Sequence, residues 1–478
     1  MGIINEQIPL EKNKIGFGLS HGAWNLFWLG FKPAIQFLAG VVLLPINPKL
    51  AGAYYAILLF WTVGFSICAL LLEKQVVVLS QQQNVMVSSV VRSLFWGSLI
   101  WGIVLSYVLS VIIFWLVGGE IWFVFTVVFI GSIAGICESF LWAILADKGK
   151  FLTLAIVRIA SVSFFGMLLL WAILSNDAQL FAVPLGVECA FLCLGFVCLC
   201  GKETIQSPKI SLSIKKVFGF WFFKVISYLN LYLDSWWILR ALSEPLLASL
   251  RIGSTPRIVF VLLMNSFAQP ILFRITSQSW KSHKHSAYLK IRFINHLIFA
   301  FNCSLGCLTI IAYLMFPQFL NPYYEALQVT WILCCAFGAF IWIGYLGWAI
   351  IVNYGAIKIP LSLTIFSLCI RPLLFLGLNA IGFLSILTIV IASELVAFLN
   401  SVLIWDKILK LKIWELDRAD KIIVTERFLL SFLAFFCLIG LGFSQEALWI
   451  TLMILGFMTA RSVILARECS RENAQVPS

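Results

Sequence analysis

Runs of about twenty apolar residues, separated by short polar connections, recur along the whole chain. Fourteen such runs can be traced, at residues 15–44, 51–72, 88–117, 121–145, 151–174, 179–200, 217–242, 246–275, 291–316, 326–353, 359–377, 380–405, 427–443 and 447–466. A helix rising ~1.5 Å per residue needs ~20 apolar residues to cross the hydrocarbon layer of a bilayer. The pattern therefore predicts an all-α polytopic membrane protein with about fourteen transmembrane helices. No connection is long enough to fold as a separate domain. The composition agrees: 62% of the 478 residues are hydrophobic and 11% are charged, whereas a water-soluble domain is about half apolar and about a quarter charged.

Charge adds an orientation. Alternate connections are basic: Lys148 and Lys150; Lys202, Lys209, Lys215 and Lys216; Lys281, Lys284 and Lys290; Lys407, Lys410, Lys412, Arg418 and Lys421. The connections between them, "GGE", "SNDAQ", "FPQFLNPYY" and "FSQE", hold no lysine or arginine. Basic loops stay in the cytoplasm, so an even number of spans places both termini there. The net charge of +12 is accounted for by loops facing anionic lipid, and gives no indication of nucleic acid. The 13 cysteines fall mostly inside apolar runs and lack metal-finger spacing, so they read as small apolar side chains. No metal and no cofactor are expected. The run after Lys14 is too long for a signal-peptide core and is expected to remain as the first helix.

Ionisable groups inside spans are costly, and they face each other or a cavity. Lys32, Glu138, Arg158, Glu188, Lys224, Asp234, Arg257, Arg371 and Glu394 are the informative ones. Glu138 and Arg158 lie at similar depth on the fourth and fifth runs. Counted from the basic anchors, Asp234 matches Arg257 in depth, and Arg371 matches Glu394. These are the expected pairs, either fixing helix register or serving as gating or coupling contacts. On the first run His21, Asn25, Lys32 and Gln36 fall within a sector of roughly 60° at about 100° per residue. On the seventh, Lys224, Ser227, Asn230 and Asp234 form a broader polar stripe. Stripes of this kind face protein or water. Lys32 and Lys224, with no evident acid partner, are the expected cationic lining of a cavity, and Asn25, Gln36 and Asn230 are its polar neighbours; interhelical hydrogen bonding is the alternative.

A weak internal repeat relates the first and seventh runs. Lys14 and Lys32 are spaced as Lys216 and Asp234 are, and each run leads into a proline turn, "PKLAGAY" from Pro48 and "PLLASLR" from Pro245. Repeated halves with a site between them are common in transporters. The expected organisation is a six-helix unit over 1–208, a second over 209–408, and a cytoplasmic loop, an extra helix pair and a short tail over 409–478.

Two stretches resemble a known family. Residues 14–64 carry a basic start, Gly18 and Trp24 in the first helix, then Pro48, Gly52 and Tyr54. Residues 230–276 carry Asp234 late in the seventh helix and Pro270 in the eighth, with Leu250 where an aromatic is usual. These features resemble bacterial O-antigen-type polysaccharide flippases of the multidrug/oligosaccharidyl-lipid/polysaccharide exporter superfamily. The resemblance implies a V-shaped pair of six-helix bundles plus two C-terminal helices, alternating between inward-open and outward-open states. It implies a cargo of isoprenoid-pyrophosphate-linked oligosaccharide, moved from the cytoplasmic to the outer leaflet of the bacterial inner membrane. A polysaccharide polymerase and chain-length machinery are the implied partners, besides membrane lipid. Lysines in a shielded cavity would suit a pyrophosphate.

Two other readings remain: a drug exporter of the same superfamily, which normally has twelve helices, and a polymerase or membrane glycosyltransferase. The latter would be an enzyme and would present a large charged outer loop, whereas the outer connections here are short. "GKETIQS" lacks the first glycine of a P-loop, so no ATP hydrolysis of that type is expected. The chain is expected not to be an enzyme.

Overall fold

The computed structural model describes residues 19–68, 76, 79–80, 85–118, 120–148, 150–211, 214–255, 257–259, 280–335, 358–410 and 418–475. Among them every regular element is helical, and each of the fourteen apolar runs contains a helix. These are α1 (Leu19–Ile46), α2 (Pro48–Val63), α3 (Val87–Val117), α4 (Ile121–Asp147), α5 (Phe151–Ser175) and α6 (Ala182–Phe196). They continue with α7 (Ile214–Ala241), α8 (Glu244–Gly253), α9 (Trp280–Met315) and α10 (324–335). The last four are α11 (Lys358–Ala380), α12 (Ile386–Lys410), α13 (Arg418–Gly440) and α14 (Gln445–Gln475). Ten helical stretches among the described residues are long and apolar enough to cross a membrane, and Gly30–Ile46 is a shorter apolar one. The protein is an all-α polytopic membrane protein. Pro270 lies outside the described residues.

Side-chain size governs how the helices meet. Lipid offers no hydrophobic drive for helix association, so small residues that let backbones approach are favoured at the seams. On α3, Ser98, Ser106 and Ser110 are buried on one face, and a β-carbon at the intervening Gly102 would collide with the hydroxyl of Ser132 on α4. Also on α4, Gly131 and Gly135 lie against the backbone of Trp61 and Phe65, with no room for a β-carbon at either position. There α2 passes into a π-helical turn over Gly64–Cys68.

α1 packs on α2 and α5, α2 on α4, and α6 on α4 and α5, so the first six helices form one mutually packed group. In the second group α7 packs on α8, α11 and α12, and α11 packs on α12. The final pair is not peripheral: α14 packs along α9, and α13 along α14. Phe299, Cys303 and Ile310 of α9 form a core there with Trp331, Ala434, Leu438, Leu455 and Met458. Exposed rings at helix ends, such as Trp115, Trp122, Phe316 and Phe319, match the aromatic belts found at membrane interfaces.

The two groups join where the proline turns lie. Asn47 caps α2 by accepting a hydrogen bond from the Leu50 amide at 3.1 Å, with Pro48 in the first turn. Proline is suited to that position because its missing N–H has no helical partner there. Ser243 and Pro245 open α8 in the same manner, without a side-chain cap. The repeated Leu-Ala pairs, Leu50–Ala51 and Leu247–Ala248, are all buried, and Gly52 abuts the backbone of Glu244 without space for a β-carbon. The Tyr323 hydroxyl adds a hydrogen bond to the Val41 carbonyl at 2.6 Å. Toward the opposite, basic-loop face, the Trp221 indole of α7 donates to the Ile67 carbonyl at 2.8 Å.

Replacing Gly131 or Gly135 with leucine should force α2 and α4 apart, a misfit of ~1–3 kcal/mol or more. Gly456→Leu, where a β-carbon meets nothing, should be tolerated. Size-exclusion profiles of detergent-solubilised protein check this. Monodisperse Gly131→Leu protein at normal yield would contradict the packing.

Candidate functional site

Within the first helix group four charges make one continuous ionic cluster. The Lys32 ammonium on α1 lies 2.5 Å from Glu188 Oε2 on α6. Arg158 Nη1 on α5 lies 3.1 Å from Glu188 Oε1 and 3.2 Å from Glu138 Oε2 on α4. All four are nearly inaccessible, and Glu188 is fully buried. Two cations meet two carboxylates, which is the condition under which charges can be kept in a low-dielectric interior. The rings of Trp61 and Phe165 face the ammonium at 4.8 and 5.5 Å, adding cation–π contacts.

The expectation for Lys32 is corrected here. It is not a cavity cation without a partner but the counter-ion of Glu188, because the lysine reaches across to α6 at the depth where that carboxylate is buried. The polar stripe on α1 accordingly divides. Gln36, one turn on, lines a cavity, while Lys32 is not among the lining residues. The backbones of His21, Asn25 and Lys224 are helical; their side chains lie outside the described residues.

The second group also holds paired charges, with different partners from those expected. Arg371 on α11 pairs with Asp234 on α7 at 3.1 Å. It also donates to Asn230 Oδ1 at 2.5 Å and to the Asn230 carbonyl. The Ser393 hydroxyl donates to Asp234 Oδ1 at 2.7 Å. Arg257 pairs with Glu394 of α12 at 3.6 Å. The expected pairs, Asp234–Arg257 and Arg371–Glu394, are thus exchanged. Depth matching found the four residues but not their partners. The reason is lateral: α11 packs directly against α7, and Arg371 gains the carboxylate together with two acceptors on Asn230. The Asp234 carboxylate is kept in its aromatic surroundings by this guanidinium. Of the expected pairs, Glu138–Arg158 is formed as read.

Between the two groups lies a cavity of ≈ 430 Å³. It is lined from α1 and α2 by Gln36, Tyr55 and Thr62, and from the second group by Asp234, Arg251, Arg257, Ser393 and Glu394. Arg251 on α8 is the residue that the sequence reading missed. Its guanidinium lies over the Tyr232 ring at 4.6 Å, and no carboxylate among the described residues pairs with it. Arg251 falls inside the eighth apolar run, in the "PLLASLR" stretch read as a proline turn, and was not counted among the informative charges. The cavity thus combines one cation stacked on an aromatic ring, an adjustable Arg257–Glu394 pair and neutral hydrogen-bonding groups. Such a lining can take up an anion with a polar body and release it again. Among the described residues no group of histidine, cysteine and carboxylate side chains is arranged to hold a metal.

At the basic-loop face, an ion pair between Lys148 and Glu203 ties the end of α4 to the end of α6. Beside it, burial and the Glu203 charge raise the Asp147 carboxyl above its ordinary range, against the opposing effect of Lys148.

No family model and no curated protein matches the sequence. Solved structures do share its fold. The lipid II flippase MurJ, in an inward closed conformation, superposes with a TM-score of 0.58 over 93% of this chain and 98% of that one, at 14% identity. An inward-facing multidrug-resistance MATE family transporter of the MOP superfamily gives a TM-score of 0.54 over 82% of this chain and 98% of that one, also at 14% identity. The chain shares the fold of these two proteins.

Removing either member of a buried pair strands a charge and should cost roughly 3–5 kcal/mol. Asp234→Asn and Arg371→Gln should each lower folded protein sharply, and the Asp234→Asn/Arg371→Gln double variant should recover part of it. Asp234→Asn/Arg257→Gln should show no recovery. Thermal unfolding in detergent measures all four, and recovery only in the second combination would reinstate the original pairing.

Proposed function

We propose that the chain is a transporter that flips an isoprenoid-pyrophosphate-linked oligosaccharide from the cytoplasmic to the outer leaflet by alternating access, and is not an enzyme. The observation that carries this reading is the cavity at the junction of the two helix groups, lined by Arg251, with no carboxylate among the described residues paired to that arginine. A pyrophosphate crossing the hydrocarbon layer needs a shielded cation, and a planar guanidinium presents several N–H donors to phosphate oxygens. The shared fold with a protein described as a lipid II flippase supports a lipid-linked cargo. In this reading residues 1–208 and 209–408 form two lobes, and the charge clusters inside each lobe hold it rigid while the lobes move. In this reading both termini lie in the cytoplasm, which the alternating basic connections support, and the membrane is the bacterial inner membrane.

Cavity size agrees with a closed state. A volume of ≈ 430 Å³ lies at the lower end of the range for small-ligand sites. It has room for a pyrophosphate and part of the attached sugar chain, so a whole oligosaccharide would require the lobes to separate. Within this scheme Arg251 takes the cargo's phosphates, Arg257 exchanges between Glu394 and cargo, and Gln36, Tyr55 and Thr62 face it from the first lobe. Lys224, on the polar stripe of α7, is a second candidate cation. Asn230 acts indirectly by holding Arg371. The alternative reading is a small-molecule exporter, favoured by the fold shared with a multidrug transporter and by the apolar part of the lining.

Arg251→Ala should reduce export of the lipid-linked oligosaccharide at least about tenfold, as expected when a charge-assisted contact is lost. Protein abundance should stay normal, and cargo should accumulate in the cytoplasmic leaflet. Arg251→Lys should retain part of the activity. Normal surface polysaccharide in Arg251→Ala cells would reject the assignment, and loss of drug resistance instead would favour the exporter.

A further inference from the structure

A second basic cluster lies away from this cavity, where α9, α13 and α14 meet. Its centre is Arg427 on α13, which is 4% exposed. One end of its guanidinium, Nη2, contacts His296 Nδ1 on α9 at 2.6 Å and donates to the Ser462 hydroxyl on α14 at 3.3 Å. The plane lies over the Phe299 ring, 4.0 Å from its centre. The other end, Nη1, is buried and has no hydrogen-bond acceptor among the described residues. One turn along α13 the Ser431 hydroxyl is likewise buried without a partner among them, on the face that Arg427 occupies.

The charge balance here differs from that of the two paired clusters. Arg292 of α9 and Arg461 of α14 lie close enough for their charges to act on His296, and Arg292 also acts on Arg427. Among the described residues Glu426 is the carboxylate beside Arg427, and it is engaged by Arg461 at 3.6 Å. Arg427, the deepest, stands with no carboxylate paired to it among the described residues. A guanidinium in that position is expensive unless an anion completes it.

Depth identifies the anion. The membrane-crossing part of α13 begins at Lys421, so Arg427 lies about 9 Å along the helix from that edge at ~1.5 Å per residue. That is the level where acyl chains give way to headgroups on the basic-loop side. The site is open toward the surface: the Arg461 side chain is 42% exposed and that of Glu426 27%. Basic pockets between transmembrane helices on this side of a membrane suit lipid phosphates.

We propose that Arg427, Arg292 and Arg461, with the Ser431 hydroxyl, form a binding site for the phosphate of an anionic lipid in the leaflet on the basic-loop side. The phosphate would enter beside Arg461, displace Glu426 from it, and accept from Arg427 Nη1. Two lipids carry this chemistry, an anionic phospholipid and an isoprenoid pyrophosphate. The site is separate from the cavity and does not depend on the transport reading.

The test is native mass spectrometry of the full-length protein with phosphatidylglycerol, phosphatidylcholine or an isoprenyl pyrophosphate. Wild-type protein should retain at least one of the two anionic lipids in preference to phosphatidylcholine. Whichever of them binds more tightly identifies the source of the phosphate. The apparent affinity for that lipid should fall about tenfold in Arg427→Gln, and about threefold in the rim variant Arg461→Gln. Arg427→Gln could fail to fold, and the rim variants Arg461→Gln and Arg292→Gln then carry the test alone. No anionic preference in the wild type would overturn the proposal. So would a preference that survives in both rim variants.

Discussion

A charge inside the hydrocarbon layer must have its counter-charge beside it, and most of this structure follows from that requirement. Lys32, Glu138, Arg158 and Glu188 neutralise one another across four helices. Asp234 and Arg371, with Asn230 and Ser393, do so across three. The ion pairs of each cluster lie within one helix group. Each group is therefore tied within itself by contacts that would be costly to break, while the junction between groups is made of glycine–backbone contact, hydrogen bonds and apolar side chains. Those contacts can be exchanged at far lower cost, because breaking them strands no charge.

This division places the cavity and gives it its chemistry. Arg371, held by Asp234 and Asn230, supports the wall without facing the cavity. Arg257 and Glu394, at 3.6 Å, are looser than Arg371 and Asp234, at 3.1 Å, and line the cavity directly. Arg251, stacked on Tyr232, has no carboxylate paired to it among the described residues. The progression from locked pair to loose pair to stacked cation runs from the interior of the second group to the cavity surface. Under the proposed transport cycle the cargo's phosphates compete only with the weakest of these contacts.

Much of the architecture was legible in the sequence, because a hydrocarbon layer imposes a length and a composition on every helix that crosses it. The fourteen runs, their boundaries near Gly118 and Pro317, and the helix-opening prolines Pro48 and Pro245 could all be read directly. Depth could be read too, since it follows from counting residues, and it brought Asp234, Arg257, Arg371 and Glu394 together. Azimuth could not. Whether Arg371 turns toward α7 or α12 depends on how neighbouring helices rotate and pack, which is a tertiary property. The same limit hid the Lys32–Glu188 contact. Arg251 and Arg427 were missed for another reason: both stand near the ends of apolar runs, where a basic residue looks like a loop anchor. The helices begin earlier, at Glu244 and Arg418, and carry both residues inside.

The central claim is that two internally locked groups move against each other around the cavity. Electron spin resonance distance measurement tests it most directly, on the full chain in nanodiscs and in a background without reactive native cysteines. One label pair would span the groups, at the exposed Ile46 and Phe319, and a control pair would lie within the first group, at Ile46 and Leu174. Addition of an isoprenoid-pyrophosphate-linked oligosaccharide should shift or broaden the first distance distribution and leave the second unchanged. A change within the first group as large as that between groups, or an unchanged distance between groups, would contradict the account.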